Sequence, residues 1–146
     1  MTENFNIRWQ WLKGMYWYTI IGAGGFGLGI ILLPDTMRSW FAWPEQDPLV
    51  YGVTGSVYLA FGLLSILGLR SPLKYVPVLL LQLCYKVVWF IGVILPLLIT
   101  GEFQSYAILH AIIFASYIIG DVIAIPFPYV FSRSDATAPA FTSASQ

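Results

Sequence analysis

Four apolar runs, roughly 15–33, 49–69, 75–99 and 106–131, set the limits on what this chain can fold into. Each has about the ~20 residues that a helix rising 1.5 Å per residue needs to cross the hydrocarbon core of a bilayer. The runs are continuous rather than alternating, and a helix satisfies its own backbone hydrogen bonds in lipid, so helices are expected rather than strands. Short connections make neighbouring helices antiparallel. The expected fold is therefore all-α: an integral membrane, up-down-up-down four-helix bundle over residues 1–131. Residues 132–146, rich in Ser, Thr and Ala, read as a disordered cytoplasmic tail.

Composition agrees with a lipid-facing surface. Only 10% of the 146 residues are charged, whereas a soluble domain carries about 25% to face water. Seven basic and seven acidic residues give a net charge of zero, which removes any electrostatic case for nucleic-acid binding. Cys84 is the one cysteine and His110 the one histidine. A single chain therefore has no disulfide, no bis-histidine haem, no Cys-rich zinc site and no iron–sulfur ligation. No catalytic residue set, cofactor site or metal site is expected.

The basic residues give an orientation. Arg8, Lys13, Arg70, Lys74 and Arg133 fall on one side of the four runs, Arg38 on the other, and Lys86 within the third run. The positive-inside rule then places both termini in the cytoplasm, with the bundle in the cytoplasmic (inner) membrane of a cell. The first run is longer than a signal-peptide core and lacks a small-x-small cleavage site, so it is read as a span. In the 34–48 connection, Asp35 is expected to cap a short surface helix, and Trp40, Phe41 and Trp43 suit the membrane interface. Ser71 is placed as the cap of the third helix, with Pro72 as its first residue. Pro77, Pro96, Pro126 and Pro128 should kink or end their helices.

Gly22-Ala23-Gly24-Gly25-Phe26-Gly27 spells G-x-G-x-x-G. The dinucleotide reading of that motif requires a strand–turn–helix setting that a membrane-length run does not offer. Helix packing explains it better: Gly25 with Gly29, and Ala23 with Gly27, are small-x-x-x-small pairs that let two helix backbones approach.

Lys86 stands near the middle of the third run, where a charge is costly, and Gln82 lies four residues earlier on the same face. The acid available within the runs is Asp121, and a Lys86–Asp121 ion pair is expected across neighbouring helices. His110, Tyr117 and Asp121 lie seven and eleven residues apart, close to whole turns, and form one polar stripe. Tyr51, Thr54, Tyr58 and Ser65 share a broad face of the second run.

The run Gly62-Leu63-Leu64-Ser65-Ile66-Leu67-Gly68-Leu69-Arg70, with its basic turn and four-helix layout, resembles small bacterial DoxX-like membrane proteins. The resemblance covers the second run and the following turn. It implies a bacterial origin and a cytoplasmic-membrane bundle. That group often carries an intramembrane Glu in its second helix, and none stands near Tyr58 here.

Three functions fit these residues. The first is a non-catalytic accessory or assembly subunit that packs with itself or with another membrane protein. The second is a small carrier or channel with a Lys86–Asp121 polar path that includes His110. The third is a membrane-embedded enzyme or binder of a lipid or quinone-like ligand, its ring held by Trp89, Tyr58 and Tyr117. The first is preferred on sequence, which leans away from an enzyme.

Overall fold

Leu12, Met15, Tyr16, Thr19, Ala23, Gly27 and Ile30 recur three or four residues apart, and winding them into a helix places all of them on one buried face. The computed structural model describes residues 6–132. Its first span, α1 (Trp9–Leu32), begins earlier than the expected residue 15. The polar Arg8, Gln10 and Lys13 conceal this start in a hydropathy reading, yet Leu12, Met15 and Tyr16 already need burial. A short helix α2 (Pro34–Trp40) follows, then α3 (Pro48–Arg70), α4 (Val76–Thr100), α5 (Ala107–Ala124) and a five-residue α6 (Phe127–Phe131). No strand occurs among the described residues.

Helices α1, α3, α4 and α5 are each long and apolar enough to cross a bilayer, the make-up of a multi-pass membrane protein. Their outer faces are greasy: Ile21, Leu49, Ile99 and Ile112 are all exposed. In water that surface would drive aggregation, whereas lipid solvates it.

Several ends differ from expectation for identifiable reasons. The fourth span stops at Ala124 and does not run on to residue 131. Pro126 disfavours the helical conformation in the residue before it, and Ile125 is accordingly extended (ψ 123°). Ser71 closes α3 and does not open α4: its N–H bonds the Leu67 carbonyl at 3.0 Å, and it is itself pushed out of the helix by Pro72. Residues 72–75 form a turn, and α4 starts at Val76 with Pro77 in its first turn, where no N–H is required. Pro96 ends nothing. A π turn, Phe90–Ile94, ends two residues before it, and the helix continues to Thr100. Asp35 caps no helix. It sits inside α2 and pairs with Arg38 at 3.0 Å. Of the connection aromatics, Trp40 is exposed, while Phe41 and Trp43 fold back onto Phe26. The tail expected at 132–146 lies, beyond Ser132, outside the described residues.

Glycine decides how α1 meets α3, through Gly27 of the expected Ala23–Gly27 pair but not through Gly25 and Gly29. A Cβ on Gly24 would stand 3.0 Å from the Gly62 Cα, one on Gly55 would strike Ile30, and one on Gly27 would run into the α3 backbone at Gly55–Leu59. Gly25 faces open space and Gly29 meets only the flexible Met37. The spacing of Gly25 and Gly29 is right for helix packing, but their face is wrong. Gly68 makes room for the Tyr16 ring, whose hydroxyl bonds the Pro72 carbonyl at 2.7 Å. Arg8 reaches the Ile123 carbonyl at 3.4 Å, so the start of α1, the α3–α4 turn and the end of α5 share one end of the bundle.

That end has its own apolar core, including Leu12, Tyr16, Leu79 and Ala124. Ile30, Met37, Tyr51, Tyr58 and Phe114 form a second core toward the other end. Between them lies a buried polar layer that supplies the candidate site.

The start of α3 offers a simple check on local structure. Asp47 accepts hydrogen bonds from the N–H groups of Leu49 (2.9 Å) and Val50 (3.0 Å). Asp47→Ala should lower stability by about 1 kcal/mol. Thermal unfolding in detergent measures this, and an unchanged midpoint would show that the cap contributes nothing.

Candidate functional site

The polar layer begins at Thr19 on α1, Gln82 and Lys86 on α4 and Asp121 on α5, all essentially inaccessible. The Thr19 hydroxyl donates to its own helix at Met15 (2.8 Å), which leaves its oxygen free to accept from the Gln82 amide at 3.2 Å. The same Gln82 nitrogen donates to Asp121 Oδ2 at 3.1 Å. A carboxylate only accepts, so Asp121 fixes which end of the Gln82 amide faces it. Gln82 thereby links three helices through its two N–H groups.

This knot corrects the expected ion pair. Lys86 does not meet Asp121, and among the described residues the one direct ion pair is Arg38–Asp35. Gln82 is level with Asp121, and Lys86, one turn further along α4, lies about 6 Å away along the helix axis. Its ammonium turns instead into an aromatic box. Nζ lies 4.3 Å from the centre of the Tyr85 ring, 4.4 Å from Tyr117 and 5.1 Å from Phe114. It donates one hydrogen bond, to the Tyr85 hydroxyl at 2.8 Å. Ring faces carry negative potential and stabilise a cation that has lost its water, so Lys86 can stay buried at 1% exposure.

Beside the box is a cavity of about 260 Å³. Lys86, Tyr58, His110 and Tyr117 all line it, so four of the six polar candidates meet here, while Gln82 and Asp121 form the knot behind it. The remaining wall is mostly aromatic, with Phe26, Phe41, Tyr85 and Phe114. Ala23, expected as a packing residue, also lines it.

The cavity lies between α1 and α5, which line it with Tyr18, Gly22, Ala23 and Phe26 on one side and His110, Ile113, Phe114 and Tyr117 on the other. The Trp9–Thr19 half of α1 packs on α5. Both halves of α1 pack on α3, and beyond the π turn at Ile20–Gly24 the Gly25–Leu32 half packs on α2 as well. Tyr18 joins the two sides. It stacks on Tyr117 (4.3 Å between ring centres) and shares a 2.7 Å hydrogen bond with Ser116, while Tyr117 donates to the Tyr18 carbonyl at 3.1 Å.

A second cavity, of about 410 Å³, shares Tyr58 and His110 with the first and is otherwise lined by residues such as Trp43, Gln46, Tyr51, Thr54 and Trp89. His110 is half-buried between the two, its ring 4.2 Å from Phe114 and 5.4 Å from both Trp43 and Trp89. Among the described residues its ring nitrogens make no hydrogen bond, and neither do the buried hydroxyls of Tyr51 and Ser65. No group of three His, Cys, Asp or Glu side chains able to hold a metal occurs among the described residues.

The aromatic box is the part that sequence reasoning missed. Phe114 falls four residues after His110 and three before Tyr117, on the stripe already drawn, but an apolar ring there reads as ordinary core. Compared with protein-family models, curated proteins and solved structures, the chain matches none.

Proposed function

We propose that this protein is a membrane-embedded binder of a neutral, ring-bearing, lipid-soluble carbonyl compound of the quinone type. The observation that carries this reading is the cavity beside Lys86, walled by aromatic rings and reached by few polar atoms. Such a site suits a flat apolar body with one well-placed oxygen acceptor. Lys86 spends one N–H on Tyr85, which leaves donors for a ligand carbonyl. Lys86 and Asp121 already balance one another in charge within the same low-dielectric interior. A neutral acceptor therefore suits the site better than an anion, which would leave net charge buried.

The proposal includes the setting. The helices run up-down-up-down, with both termini in the cytoplasm because Arg8, Lys13, Arg70 and Lys74 lie at one end and Arg38 at the other. The membrane is a bacterial cytoplasmic membrane, in keeping with the DoxX-like pattern of α3. The accessory-subunit and carrier readings have no feature of comparable specificity behind them.

The test is equilibrium binding of a short-chain alkyl para-benzoquinone to protein in nanodiscs, followed by tryptophan quenching. Lys86→Met should weaken binding by about 10- to 100-fold, the worth of one hydrogen bond from a charged donor, ~1.5–3 kcal/mol. Equal binding by wild type and variant would remove Lys86 from the site and the proposal with it.

A further inference from the structure

We infer that Lys86 can go beyond hydrogen bonding and condense with the carbonyl of a lipid-soluble aldehyde, holding it in the cavity as a protonated imine. The inference rests on the binding reading above and names a covalent step at the same atom.

Three features of the site support it. Lys86 is one of the residues that line the cavity, and its Nζ has one hydrogen bond and no direct carboxylate partner, so no ion pair has to break before it reacts. The reaction leaves the local charge unchanged. Nζ attacks as the free amine, after one ammonium proton has passed by way of the Tyr85 hydroxyl to the carbonyl oxygen. The C–N bond forms, a second nitrogen proton follows to that oxygen, and water leaves as the C=N bond of the iminium closes, so two of the three ammonium protons depart with it. Tyr85, its hydroxyl 2.8 Å from Nζ, is placed to relay one of those protons. The single positive charge stays among the Tyr85, Tyr117 and Phe114 rings before and after, and a dispersed iminium suits ring faces at least as well as a compact ammonium does.

The second cavity adjoins the first at Tyr58 and His110 and adds polar groups at Gln46 and Thr54 that can take up the released water. A lysine in a dry apolar site is a recognised activated nucleophile, and an apolar aldehyde concentrates in the bilayer around this one.

The experiment uses the full chain in nanodiscs, 4-hexylbenzaldehyde as the probe and sodium cyanoborohydride to reduce any imine to a stable amine. The chain has three lysines, Lys13, Lys74 and Lys86, so peptide mass spectrometry reports each separately. Reversible binding of the same probe is read by tryptophan quenching before reductant is added. The expected result is one adduct at Lys86, formed about tenfold or more faster than at Lys13 or Lys74 because binding supplies a high local concentration. That adduct should vanish in Lys86→Arg, with folding of the variant checked by gel filtration. Saturable probe binding with adducts confined to Lys13 and Lys74 overturns the covalent step and leaves the binding reading standing. Absence of both binding and a Lys86 adduct overturns the two together.

Discussion

Gly62→Leu should abolish the folded protein, while Gly25→Leu leaves it intact. At Gly62 the first added atom already stands 2.5 Å from the Gly24 Cα, which is backbone and has no rotamer by which to move aside. A leucine adds three further carbons in the same place, forcing α1 and α3 apart where their backbones meet. Inserting a few methylenes into a packed core costs about 1–3 kcal/mol even where side chains can give way. Here nothing can give way, and a domain's whole margin is only ~5–15 kcal/mol. At Gly25 a Cβ meets nothing within 4 Å, so a leucine there points away from the bundle. Yield after detergent extraction and the thermal midpoint of each variant measure the contrast. Equal loss in both variants would mean that α1 packs through a different face.

The second large effect is electrostatic. Asp121→Asn keeps the shape of the side chain and its place beside Gln82 but leaves Lys86 as the one formal charge in the described core. Removing one partner from a buried charge pair costs about 3–5 kcal/mol, chiefly because the survivor is uncompensated. Lys86 and Asp121 are not in contact, so the lower part of that range is expected. The double variant Lys86→Met/Asp121→Asn should lose less than the sum of the two single variants, by about 0.5–3 kcal/mol of coupling. Unfolding by SDS titration in mixed micelles supplies the four corners of the cycle. Strict additivity would show that the two groups do not sense one another and that the aromatic box alone keeps Lys86 buried.

How much of this was legible in the chain follows from what each signal reports. Continuous apolar length reports spans, and the four helices able to cross a bilayer lie where the four runs lie. Apolar length is blind to ends. It missed the first turn and a half of α1, where Trp9 and Trp11 alternate with polar residues, and it ran through Ile125–Pro126 because isoleucine and proline interrupt no greasy stretch. Small-residue spacing reports that a helix can be approached but not from which side. Gly24 and Gly27 were selected over Gly25 and Gly29 by where Gly55 and Gly62 stand on α3, and no reading of α1 alone contains that.

The site was legible one residue at a time. Lys86, Asp121, Gln82, His110, Tyr58 and Tyr117 stand out because each is polar in an apolar run. Their grouping depended on vertical offsets of a single helical turn. That offset gives Asp121 to Gln82 and turns Lys86 toward rings. Of the three rings only Tyr117 carried a signal, from the polar stripe, since Phe114 and Tyr85 among so many aromatics look like filler until a cation is seen over them.

The most direct measurement of the central claim, that the cavity beside Lys86 takes a neutral carbonyl ligand, follows the lysine nitrogens themselves. With 15N at Nζ of the three lysines, the Lys86 resonance is the one that disappears in Lys86→Arg. On saturation with an alkyl para-benzoquinone, that resonance should shift while those of Lys13 and Lys74 stay in place. A Lys86 resonance that does not move while the quinone saturates the protein would contradict the account.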